Sequence, residues 1–119
     1  MKKFFLFVAI LMFGLATPSM AREVYYAKIS HNDKYNSYGD PLRSVAAILR
    51  QDRANYHRFG IRDREDTGDR TFRYKGNRAR MASMLRSGYI SPATRNAIVY
   101  RNPVVRVTVY DYRIDVELD

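Results

Sequence analysis

The chain has 119 residues, a formal charge of +9 and no cysteine. Thiol catalysis, thiolate metal sites, disulfide staples and acylated-cysteine anchors are thereby excluded. This length has room for one small domain, whose packed core alone must carry its stability.

Residues 1–21 read as a secretory signal peptide. Lys2 and Lys3 make a positive start, Phe4 to Ala16 is an apolar run, and Ser19 and Ala21 are the small residues a cut after Ala21 requires. The run is short for a membrane span and no second one follows, so no span is expected after cleavage. Residues 22–119 then form a single exported domain, periplasmic or secreted. The short Met-Lys-Lys start and the absence of cysteine point to a bacterial envelope.

Val24 to Ser30 is the first expected strand. Tyr25, Ala27 and Ile29 share one face, and Tyr26 and Lys28 the other. His31 to Gly39 is a polar loop. Asp40 to Gly60 is predicted as one long helix, capped by Asp40, begun at Pro41 and closed by Gly60. Leu42, Val45, Leu49, Tyr56 and Phe59 form its apolar stripe, interrupted at Asp52 and Arg53, where burial lapses or the charges pair. Arg43, Arg50 and His57 are spaced seven apart, nearly two turns, and are expected along the opposite side.

Arg62 to Asp69 is a charged loop. Thr71 to Lys75 is predicted as a short strand with Phe72 and Tyr74 on one face. Asn77 caps an expected second helix running to Ser87, which buries Met81, Met84 and Leu85. Ser91-Pro92 opens a third helix with Ala93, Ala97 and Tyr100 inward. Val104 to Leu118 carries the strongest β signal, but its apolar positions change from odd to even at Tyr110. A bulge near Tyr110-Asp111 in one bent strand explains the change. A hairpin is less favoured, because no Asn-Gly or Asp-Gly pair marks a tight turn. The fold class expected is α+β, with helices on one face of a small, mostly antiparallel sheet of three to four strands.

The chemistry is narrower than the composition. His31 and His57 are the only histidines and lie far apart in sequence, so no metal site is expected. The loop Asp63 to Asp69 resembles the start of a calcium loop, but Tyr74 stands where the bidentate glutamate belongs. No Gly-x-Ser-x-Gly, phosphate-binding Walker loop or HExxH helix occurs. Residues 43–94 carry the whole positive excess of residues 22–119, with 12 basic against 5 acidic side chains. Arginine dominates among them, and its planar fork suits carboxylate, phosphate or sulfate. Lys75, Arg78 and Arg80 flank the start of the second helix, where free N–H groups favour an anion. The expected surface is therefore Arg43, Arg50, His57, Lys75, Arg78 and Arg80, with neither catalytic residues nor a cofactor. The function expected is that of a non-catalytic binding protein, of the inhibitor or immunity type, meeting an acidic protein or an anionic envelope polymer through an Arg/Tyr-rich surface. The alternative is a secreted metal-free ribonuclease or nucleic-acid binder, using His57 or His31 with Glu65 and several arginines.

Overall fold

The computed structural model describes residues 20–119; the signal-peptide reading falls almost wholly outside them. Three strands, β1 (Glu23–Lys28), β2 (Val104–Val109) and β3 (Ile114–Leu118), form an antiparallel sheet in the order β1-β2-β3. Tyr25 pairs with Val107, and Val107 with Val116. Side chains alternate across a strand, so this register puts Tyr25, Ala27, Val105, Val107, Val109, Ile114 and Val116 on one fully buried face. Tyr26, Arg106 and Glu117 are on the other face. The helices α1 (Val45–Ala54), α2 (Lys75–Arg78), α3 (Met81–Ser87) and α4 (Pro92–Tyr100) supply much of the rest of the core, through Ile48, Leu49, Met81, Met84, Leu85 and Ile98, and Ile29 and Phe72 join it from outside the helices. The fold is the expected α+β arrangement, with three strands.

Both free sheet edges are covered, which blocks edge-to-edge pairing with another chain. Along β1, Tyr26 N donates to Thr67 Oγ1 at 2.8 Å, Thr67 N donates back to Tyr26 O at 2.9 Å, and Lys28 N donates to Asp66 Oδ1 at 2.8 Å. Along β3, Val116 N donates to Tyr89 O at 2.8 Å. Gly88 makes that second strap possible, since a Cβ there would lie 1.7 Å from Ile114 O.

Several elements differ from expectation for identifiable reasons. Helix α1 starts at Val45, not Pro41, because Ser44 is the cap: its Oγ accepts from Ala47 N at 3.1 Å. Pro41 instead bridges Tyr35, and Asp40 is tied to Asn36. The helix ends in a π-turn, Asn55–Phe59, and Gly60 closes it at φ 68, the left-handed stop its position implied. Asp52 and Arg53 do not interrupt burial; they are buried and paired.

Thr71 to Lys75 is not a strand. Carboxylates take its backbone donors: Thr71 N donates to Glu23 and Phe72 N to Asp69, which closes a 3₁₀ turn, Thr71–Arg73. Asn77 is not a cap either, since it lies within α2 and its amide donates to Thr71 O at 2.8 Å. Ser91 does cap α4, but Thr94 and Ile98 face inward with Ala97, while Ala93 and Tyr100 are exposed. The odd-to-even change at Tyr110 marks a hairpin rather than a bulge. Val109 pairs with Ile114 around a four-residue loop closed by Tyr110 N donating to Arg113 O at 2.9 Å.

Candidate functional site

Helix α1 and the α2–α3 pair lie side by side and leave a cleft of about 460 Å³ between them. Arg50 enters from the middle of α1 and Arg58 from its π-turn, while Lys75 and Arg78 enter from α2. Ala47, Phe59 and Met81 contribute apolar lining. Among the described residues, no carboxylate lines this cleft. Arg78 is the fixed member. It is only 6% exposed, and its Nη1 donates to Phe72 O at 2.9 Å and Arg73 O at 3.0 Å. A guanidinium anchored by one nitrogen loses little freedom when its remaining donors meet an anion. Burial lowers the Arg78 pKa, and the positive charges of Arg58 and Arg50 lower it further. These cations repel one another across the cleft.

The six residues singled out from the sequence are divided by the fold. Arg50, Lys75 and Arg78 meet in the cleft. Arg43 is exposed in the loop before Ser44 and lines no part of it, because the helix begins after it. Arg80 projects into a separate pocket with Arg70, Tyr74 and Tyr110. His57 turns away to Asp69, its Nε2 lying 2.7 Å from Oδ1, and its side chain is 11% exposed.

Arg58 takes the place in the cleft that the seven-residue spacing assigned to His57. A π-turn accommodates one extra residue per turn, so the helix face slips by about one position across Asn55–Phe59. Arg58 thus returns to the Arg50 side. Nothing local in the sequence announces this slip.

Behind the cleft lies a buried charge network. Arg53 is fully buried, its guanidinium carbon 4.1 Å from the Tyr25 ring centre and 4.7 Å from that of Tyr56. Its Nε donates to Asp52 at 2.8 Å, and its Nη1 to Asp69 and to Thr67 O, both at 2.9 Å. Burial pushes the Asp52 carboxyl well above its ordinary range, with Arg53 opposing the shift. Asp69 accepts from Arg53, His57 and Phe72 N together, so this carboxylate anchors three segments. The carboxylate beside His57 is therefore Asp69, and Glu65 is exposed on the loop. His31 packs against Tyr35, the rings tilted by 47° with centres 4.7 Å apart. Asp66 in the calcium-like loop accepts from Lys28 N and Asp63 N, so it serves the backbone. Among the described residues, no group of three or more His, Asp or Glu could hold a metal ion, and no helix is long and apolar enough to cross a membrane. No protein family, curated protein or solved structure matches the chain.

Proposed function

We propose that the protein is a small exported binding protein, periplasmic or secreted and without catalysis, that meets an acidic protein or an anionic envelope polymer through the Arg50–Arg58–Lys75–Arg78 cleft. One observation carries this reading: four mutually repelling cations converge with no carboxylate among the cleft's described lining residues, and the charge of Asp69 opposes only part of their effect on Arg78. A bound anion relieves that repulsion, so the site is electrostatically complete only with a partner.

The test replaces Arg50 and Arg58 by glutamine, because both are exposed, whereas Arg78 also holds backbone. Melting should change little, as surface substitutions usually stay within about 0.5 kcal/mol. Calorimetric titration with polyglutamate should show weaker binding and a flatter dependence on salt. The control pair is Arg106→Ala with Arg113→Ala, whose side chains face Glu117 and Asp115 on the sheet at 3.6 Å. Equal weakening by the control pair would move the partner to the sheet and refute the cleft. Cleavage of an RNA probe in the same titration would replace this reading with a ribonuclease.

A further inference from the structure

A second cleft, of about 380 Å³, opens beside the first and shares Asn36, Ser37, Gln51 and Phe59 with it. Its character is different. His31, Tyr35 and Phe59 present rings, and its other lining includes side-chain amides, with no Lys or Arg among the described lining residues. Tyr35 is 38% and Phe59 43% exposed, so both rings offer accessible surface. Phe59 stands at the junction, and the Arg58 guanidinium lies 5.0 Å from its ring centre. The wall is held rigid from within. Asn55 donates to Asn32 O at 3.1 Å and to Asp33 at 3.0 Å, Gln51 donates to Asn55 at 2.9 Å, and Asn36 accepts from Tyr38 N and Asp40 N at 2.9 Å. These bonds leave Gln51 Oε1, the Tyr35 and Ser37 hydroxyls and the Asn32 amide without a protein partner among the described residues.

We infer that the two clefts form one groove for an acidic sugar chain, with its charged group among Arg50, Arg58, Lys75 and Arg78 and a neutral sugar against Tyr35 and Phe59. The inference rests on the binding reading above and names its ligand class. A sugar ring presents an apolar C–H face and a rim of hydroxyls. Aromatic faces with fixed amide and hydroxyl groups complement both. Other classes fit less well. An acidic peptide meets the cationic end alone, since a run of carboxylates finds no Lys or Arg among the described residues of the aromatic end. A nucleic-acid strand carries a phosphate at every nucleotide, and the aromatic end lacks the Lys or Arg to meet them.

The test compares four probes by calorimetry: a hyaluronan tetrasaccharide, neutral tetra-N-acetylchitotetraose, tetraglutamate and a short oligouridylate. Hyaluronan carries a carboxylate on alternate sugars and should bind about tenfold more tightly than any of the others. Tyr35→Leu, at a residue that lines only the second cleft, should remove that advantage while leaving tetraglutamate binding and melting unchanged. Arg58→Gln should weaken binding of both hyaluronan and tetraglutamate. Amide signals from His31–Ser37 and from Gln51–Phe59 should shift together when hyaluronan is added. Tetraglutamate binding as well as hyaluronan, with Tyr35→Leu inert, would overturn the sugar inference and leave the acidic-partner reading standing. Tightest binding to oligouridylate would also overturn the sugar inference. Failure of every acidic probe would overturn both.

Discussion

Arg53→Met keeps an unbranched apolar stem between the Tyr25 and Tyr56 rings and removes the guanidinium. Asp52 is 2% exposed, and Arg53 is its only side-chain partner among the described residues. Asp69 loses one of its three donors and keeps His57 and Phe72 N. Removing one member of a buried ion pair typically costs about 3–5 kcal/mol, because the other charge stays buried without compensation. A domain of this size holds about 5–15 kcal/mol in total, so the variant should lose a large part of its stability. At about 4–8 °C per kcal/mol, the melting temperature should fall by roughly 12–40 °C. Urea and thermal unfolding followed by circular dichroism at pH 7 measure both quantities. The double variant Asp52→Leu with Arg53→Met removes both charges and should recover more than half of the loss, since apolar replacement of a buried pair is close to neutral. A single-variant loss below about 1 kcal/mol, or a double variant no better than the single, would refute the claim that this pair is desolvated and mutually dependent.

Three further outcomes are expected. Leu49→Ala, in the buried core, should cost about 2–5 kcal/mol, and Ala47→Ser, in the cleft wall, far less; equal small effects in urea melts would refute the burial of the Leu49 face of α1. Burial raises the pKa values of Asp33, Asp52 and Asp66. A carboxyl whose folded pKa exceeds its unfolded value, about 3.9, binds its proton more tightly when folded, so its contribution is lost as pH rises from about 4 through the raised range. Melting temperature measured against pH should therefore fall more gently across that window in Asp52→Asn than in the parent, and an unchanged slope would exclude Asp52 as a source. Export with cleavage after Ala21 should give an intact mass beginning at Arg22 in periplasm or medium, and recovery of only the full chain from cytoplasm would sink that expectation.

Local periodicity and local chemistry made much of the fold legible. Alternation in Tyr25-Ala27-Ile29 and Val105-Val107-Val109 identified the buried sheet face, because successive strand side chains must point to opposite sides. Ser91-Pro92 and Gly60 marked helix ends whose hydrogen bonds close within a few residues. Met81, Met84 and Leu85 shared a helical face and are buried. Charge density located the basic region, and Arg50, Lys75 and Arg78 were visible in it as single residues. Other features depend on partners distant in sequence. Glu23 on β1 takes the backbone donor of Thr71 and, with the local Asp69 taking that of Phe72, makes residues 71–73 a 3₁₀ turn instead of a strand. The change of parity at Tyr110 favours a bulge, for want of an Asn-Gly or Asp-Gly pair, and only the pairing of β2 with β3 makes it a hairpin. Arg53 looked like a break in an apolar stripe, and only the meeting of α1 with β1 and the 67–69 loop supplies the rings and carboxylates that bury it. The composition of the cleft was decided in the same way. The π-turn advances Arg58 into it and sends His57 to Asp69, and this phase slip is set by how the end of α1 packs, not by the spacing of its residues.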